Sequence, residues 1–309
     1  MTRLNVVLAS LMVIGLMTGC GGGSTASGSS DNAKGNKVPG VTMTLKSEGK
    51  NVKLSLHGEG SAVIDWGDGS PVDSVAFEKR SKDYPHTYSG DLECTIKITG
   101  ENITLLNCFD LKLTSLDISN NPALKNLMCN RNKLTNLDVS NNLALEILNC
   151  ADNKFTSLDL SKNAALIELG CSGNQLTGLD LSKNAALKKL SCELNQLTSL
   201  DVSKNPALEN LQCNTNKLTT MDISHNPELK TVVFMDNKLT SVVLGDNPKL
   251  ASVNLQTNQL SAQELNVVLE SLHANEVKGK KINLYNNPEA ESCNATIAIK
   301  KGWEVMIKP

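Results

Sequence analysis

Between residues 103 and 260 the apolar positions obey one rule, a 21-residue unit written eight times over. Its first half reads Leu-x-x-Leu-x-Cys-x-x-Asn-x-Leu and its second half Thr-x-Leu-Asp-(Leu/Val/Ile)-Ser-x-Asn-x-x. Cys108, Cys129, Cys150, Cys171, Cys192 and Cys213 fall 21 apart, as do Asn132, Asn153, Asn174, Asn195, Asn216, Asn237 and Asn258. A fixed period of this length marks a solenoid in which each unit is one coil. In the second repeat, Leu124-x-x-Leu127-x-Cys129 and Leu134-x-x-Leu137-x-Val139 are two segments too short for helices, each ended by an asparagine. Positions one, four and six of each half turn inward, and like residues stack on like about 4.8 Å away. The pattern predicts a mainly β fold, a flattened solenoid with strands on both faces.

The repeated polar residues each have a structural reading. Phe234 and Leu255 replace cysteine in the last two coils, so the cysteines fill volume as buried free thiols. In-register Cα spacing would admit disulfides between neighbours, but parallel Cβ vectors sit wider than a bridge wants. The asparagines are expected to bond the backbone of the next coil. Asp117, Asp138, Asp159, Asp180, Asp201 and Asp222 form an outward column that ends at Val243. Six like charges in register repel. They persist if each accepts hydrogen bonds from adjacent Thr and Ser, such as Thr135 and Ser140, or if calcium sits between them; the first is preferred.

Comparing the repeats with one another separates the two halves. In the second half Thr, Ser, Asp and Ser recur outward in nearly every coil, whereas the outward positions of the first half vary. One column runs Asn126, Ile147, Glu168, Lys189, Asn210, Thr231; the next Met128, Asn149, Gly170, Ser191, Gln212, Val233; the third Asn130, Ala151, Ser172, Glu193, Asn214, Met235. A repeat protein that recognises a shaped partner must differ along such a surface, although a face held only by packing also drifts. The candidate ligand-binding residues are therefore Met128, Asn130, Ile147, Asn149, Glu168, Ser172, Lys189, Ser191, Glu193, Asn210, Gln212, Asn214, Val233 and Met235. The face is poor in Trp, Tyr and Arg, which predicts modest affinity or a polar ligand.

The flanks change texture. In residues 41–102, the segments Val41–Leu45, Val52–Leu56 and Cys94–Ile98 alternate with period two, as half-buried strands do. Ala62–Trp66 runs into Gly67-Asp68-Gly69-Ser70, whose glycines suit a tight turn. Together with His86-Thr87-Tyr88, the Asp65–Ser70 segment resembles the PKD-type β-sandwich, in which the Trp is core and the Gly-Asp-Gly a turn. Asp65 and Asp68 as calcium ligands is the rival reading, weakened by the lack of a third carboxylate nearby in sequence. This small sandwich is expected to cover the first coil, whose edge would otherwise be bare. After Leu260 the period breaks. Ser261 and Glu264 form a capping box, and Leu265, Val268, Leu269 and Leu272 give residues 262–273 one apolar helical face. Residues 261–309 are thus read as a helical cap, with a further strand at Lys281–Tyr285 and a closing segment around Trp303 and Val305.

At the N-terminus, Arg3 precedes an apolar run from Leu4 to Met17, too short for a membrane span, so residues 1–19 read as a signal peptide. Met17-Thr18-Gly19-Cys20 resembles the bacterial lipobox, with Cys20 as the acylated residue. Residues 20–40, rich in Gly and Ser, form a tether. Two or three acyl chains would hold the chain at a membrane surface.

Charge is nearly balanced, 30 basic against 32 acidic residues, so no nucleic-acid partner is expected. The four histidines, His57, His86, His225 and His273, show no ligand spacing, and no nucleophile elbow or phosphate loop is present; neither catalysis, cofactor nor metal is expected. The eight in-phase copies resemble the internalin-type cysteine-ladder leucine-rich repeats, and the nested repeats of bacterial lipoproteins. The resemblance implies an extracytoplasmic binding scaffold: a lipid-anchored cell-envelope protein, at the outer membrane or cell surface, that recognises a protein or glycan, adhesion included. The rival expectation is a structural component of an envelope complex with no external ligand.

Overall fold

The computed structural model describes residues 39–308 apart from residues 48 and 50. The expected signal peptide, the acylated Cys20 and nearly all of the tether lie outside the described residues. The described residues form one compact unit.

The first six strands are β1 (Gly40–Lys46), β2 (Asn51–Gly58), β3 (Ser61–Asp65), β4 (Asp73–Ala76), β5 (Lys82–Thr87) and β6 (Glu93–Gly100). β7 (Ile103–Asn107) and β8 (Leu113–Asn120) belong to the first coil. Alternation in β1 and β6 puts Val41, Met43, Leu45, Cys94, Ile96 and Ile98 inside, at 2% exposure or less. The joint with the solenoid is made by strand pairing on both faces. β8 pairs antiparallel with β1, and β7 pairs antiparallel with β2 on one side and parallel with the next coil on the other. The first coil therefore presents no bare edge, as the sequence suggested.

Beyond it, one face carries a parallel ladder: β9 (Asn126–Met128), β10 (Ile147–Asn149), β11 (Glu168–Gly170), β12 (Lys189–Ser191) and β13 (Asn210–Gln212). It continues through β15 (Thr231–Val233) and β17 (Ser252–Asn254) to the cap strands β18 (Lys281–Asn283) and β19 (Glu304–Met306). The far edge of this twelve-stranded sheet is β5, where Pro85 blunts further pairing. The opposite face has regular strands only in the first coil, β8, and late in the solenoid, β14 (Thr220–Asp222) paired with β16 (Ser241–Val243). Strands on both faces thus hold in part: the middle coils are extended but unladdered on that side.

The interior is mainly leucine and cysteine, with Phe155, Phe234 and a few Val, Ile and Met among them. Leu166, Leu169, Cys171, Leu176 and Leu181 stack on their counterparts, and all six ladder thiols are fully buried and free. Burial pushes the Cys108 thiol up to about 12, and Cys129, Cys150, Cys171 and Cys192 well above the usual thiol value. Cys94 and Cys293 are also buried and free.

Helix α1 (Ala262–Ser271) starts where the Ser261 hydroxyl accepts the Glu264 N–H at 3.2 Å. It ends two residues earlier than the apolar period suggests, because Leu272 turns extended while staying buried. A second short helix, α2 (Thr296–Ile299), and the buried Trp303 complete the cap.

Candidate binding face

Two asparagine columns hold the coils together, and they differ. In the first, Asn174 donates from Nδ2 to the carbonyls of Cys150 (3.2 Å) and Cys171 (3.0 Å), and its Oδ1 accepts the Phe155 N–H at 3.0 Å. Asn153, Asn195, Asn216, Asn237 and Asn258 repeat this bonding, and Asn287 supplies the last rung from the cap. The side chains thus reach back to the preceding coil, where the sequence reading had them reach to the next. In the second column, Asn184 donates to the carbonyls of Leu160 and Asn163, but its Oδ1 and those of Asn142, Asn163, Asn205, Asn226 and Asn247 are buried without a hydrogen-bond partner among the described residues.

The ladder brings the variable columns into register. Ile147, Glu168, Lys189 and Asn210 pair in sequence across β10 to β13, as do Asn149, Gly170, Ser191 and Gln212, with Met128 and Val233 at the ends of that column. Asn130, Ser172, Glu193, Asn214 and Met235 line up beyond, where N–H groups from Arg131 to Thr215 bond carbonyls of the following coil. Of these only Lys189 is fully exposed; the others stand shoulder to shoulder and half-buried. Ion pairs cross the coils at 21-residue spacing: Lys189 with Glu168 (2.6 Å) and Arg131 with Asp152 (3.7 Å).

A column the sequence reading missed lies at its margin. Asp110, Arg131, Asp152, Gly173, Leu194, Thr215, Asp236 and Thr257 all have positive φ, between 52° and 63°. Each precedes or faces an asparagine rung, and the left-handed turn aims the chain from the strand into it. For a side chain other than Gly this costs roughly 1–2 kcal/mol. Only Gly173 avoids that cost; a Cβ there would meet the end of the Asp152 side chain, which would have to swing aside. Leu194 is the one apolar member and is 55% exposed. The sequence signal for it was available, a lone leucine in a column of Asp, Arg, Thr and Gly.

Gly170, Ser172 and Gly173 are all small, so the ladder face dips across the fourth coil. The depression, about 480 Å³, has Asn149, Ala151 and Asp152 along one wall and Ser191, Glu193 and Leu194 along the other.

The opposite face is fixed by its side chains. The Oδ1 of Asp117, Asp138, Asp159, Asp180, Asp201 and Asp222 accepts the N–H of the serine two residues on, at 2.8–2.9 Å in each of these six coils. Hydrogen bonds from that serine's hydroxyl and N–H hold the carboxyls of Asp138 and Asp222 below the usual range; the N–H leads for Asp159, Asp180 and Asp201. This is the preferred of the two readings of the column, with the donor a backbone group more than a neighbouring side chain.

In the sandwich, Trp66 is buried and stacks on His86 with ring centroids 4.6 Å apart. His86 Nε2 contacts Asp68 Oδ2 at 2.8 Å, and the buried Tyr88 hydroxyl donates to the Trp66 carbonyl. Hydrogen bonds from Ser70 and His86 bring Asp68 down to about 2. Asp65 accepts the Gly67 N–H, and Gly67 has φ +75° with no room for a Cβ against Thr95. Both aspartates are therefore engaged in building the turn.

The sequence matches no protein-family model and no curated protein. Solved structures do resemble it. The functional domain of InlJ from Listeria monocytogenes, described as including a cysteine ladder, is 32% identical over 65% of this chain and 47% of its own, with a TM-score of 0.54. The leucine-rich repeat domain of APL1B is 21% identical over 66% of this chain and 62% of its own, TM-score 0.57. The LRIM1/APL1C complex matches at 22% identity over 67% of this chain and 40% of that one, TM-score 0.57. The chain has the leucine-rich-repeat fold. It spans less than two thirds of the length of each of these relatives.

Proposed function

We propose that the chain is an extracytoplasmic binding protein that recognises a partner, a protein in the first place or a glycan, through the ladder face of its leucine-rich repeats, adhesion included. The observation that carries this is the contrast between the faces: three columns that differ from coil to coil share one continuous ladder, while the opposite face repeats itself. The InlJ domain, a cysteine-ladder protein of 32% identity, supports the same reading. We place the chain at the outer membrane or cell surface, held by acylated Cys20, and take residues 41–102 as a PKD-like module. The buried Trp66 and Tyr88 support that assignment of the module. The solenoid binds and does not catalyse.

Protease shaving of intact cells, with mass spectrometry for repeat peptides and a periplasmic protein as integrity control, tests the location. Release of repeat peptides is expected. Protection until lysis would overturn surface exposure and favour the envelope scaffold. Lysine or glutamate substitutions at Ser191, Gln212 and Asn214 that left all binding intact would sink the assignment of the face.

A further inference from the structure

Three features meet at the depression over Gly170 and nowhere else on the described ladder face. The first is electrostatic. Lys189 and Arg131 are engaged with Glu168 and Asp152, whereas Glu193 has no ion-pair partner among the described residues, and its Oε2 is buried without a hydrogen bond. A buried carboxylate oxygen left bare is costly in the free protein and becomes favourable only when a donor arrives. The second is apolar. Leu194, next to it, combines a left-handed backbone with a side chain left largely in water, two unfavourable choices that packing within the chain does not repay. The third is shape. Gly170 and Ser172 leave this part of the fourth coil with little side-chain bulk, so a partner can approach between Asp152 and Glu193, while the Asp152 carboxylate itself lies over Gly173.

We propose that this depression takes a basic side chain, Lys or Arg, from a protein partner, the cationic head meeting the Glu193 carboxylate and the aliphatic stem lying along Leu194. The inference rests on the ladder face being the binding surface and names the chemistry of the partner there. An amphipathic cation is the group that answers both wall residues at once, since its stem covers apolar surface while its head keeps its charge paired. An acidic partner would bring a third carboxylate beside Asp152 and Glu193, and a purely apolar one would leave Glu193 Oε2 buried and bare.

The probe is a phage-displayed library of random dodecapeptides, selected against the full chain and followed by titration of the recovered peptides by fluorescence anisotropy. Recovered peptides are expected to be enriched in Lys or Arg beside apolar residues. Their binding should weaken about tenfold in Glu193→Gln and more in Gly170→Val, survive in part in Glu193→Asp, and weaken with added salt. Circular dichroism melts of Glu193→Gln guard against a folding defect. Peptides that bind Glu193→Gln as tightly as the parent, yet are lost in Gln212→Ala or Asn214→Ala, would overturn this inference and leave the binding face standing. Recovery of no peptide sensitive to any ladder-face change would overturn both.

Discussion

The two faces of the solenoid are built from halves that look alike in sequence, and they are held by different chemistry. On the ladder face, backbone N–H and C=O groups of β9 to β13 bond from coil to coil in register. Side chains there close the coil only in places, as where Asn149 Oδ1 accepts the Ala151 N–H. On the opposite face, among the described residues, no backbone bond joins Thr135–Ser140 to Thr156–Ser161, and each coil closes its turn with an Asp carboxylate on a serine N–H. There the side chain is part of the backbone's own hydrogen bonding. Constancy on one side and variation on the other follow directly: the ladder face is free to differ because its identity costs the fold nothing. Freedom alone would also permit drift, so the choices that cost something, Glu193 and Leu194, carry more weight than variability itself.

The largest test of this division lies inside, where both faces depend on the asparagines. Asn174→Ala would leave the N–H of Phe155 buried without a partner and take one of two side-chain donors from each of the carbonyls of Cys150 and Cys171, which keep Asn153 and Asn195. At about 1–3 kcal/mol for a stranded buried group, the loss should be about 3 kcal/mol by urea unfolding. Asn184→Ala on the second column removes a side chain whose Oδ1 is already bare, so it should cost less, about 2 kcal/mol. Equal losses would contradict the asymmetry of the two columns.

Next in size is the thiol ladder. Cys171→Ser puts a hydroxyl into a fully apolar column and should cost about 2 kcal/mol, whereas the leucine at Leu255 and phenylalanine at Phe234 show the site wants volume. With these thiols held far above the ordinary value, a thiol reagent at pH 8 should leave all six ladder cysteines unmodified in the folded protein and modify them in guanidinium.

Much of this could be read in the chain before any coordinates. The 21-residue period fixed the coil, the inward positions and the rungs, because periodic burial writes itself directly into residue type, and Ser261 with Glu264 announced the cap helix. The ladder's side was not legible: Leu-x-x-Leu-x-Cys and Leu-x-x-Leu-x-Val place apolar groups alike and say nothing of which backbone pairs. The strands β4 and β5 were also missed, since Asp73–Ala76 and Lys82–Thr87 are largely exposed and lack clean alternation. Lys280 is a third case. It is buried at 7% exposure and donates to the carbonyls of Asn275 (2.8 Å) and Lys301 (2.5 Å), partners that only the folded cap brings together. At the candidate site the register of the columns was legible, but the depression required knowing that Gly170 and Ser172 share one coil with Leu194 beside them.

A smaller effect is expected from acid. The carboxyls of Asp138, Asp159, Asp180, Asp201 and Asp222 are lowered in the folded chain, and Asp68 lies near 2. A folded value below the unfolded one means the unfolded state binds more protons, so the contribution is present above the unfolded carboxylate value, about 4, and fades as pH falls through the lowered values. Thermal melts should therefore be flat from pH 7 to 5 and fall steeply toward pH 2. Asp180→Asn keeps an acceptor for the Ser182 N–H and removes the titration, so it should shallow that fall while changing stability at pH 7 less than either core substitution.

The smallest effect is the one that most sharply separates the faces. Ser191→Ala and Gln212→Ala alter ladder-face side chains whose strands are already bonded through the backbone to both neighbours. Their unfolding free energies should stay within about 0.5 kcal/mol of the parent. If the proposed function holds, the same pair of changes weakens partner binding, since contacts and not stability are what these positions supply. A melt lowered as far as that of Asn184→Ala would mean the variable columns are structural after all, and the division between a face that folds the coil and a face that reads a partner would fail.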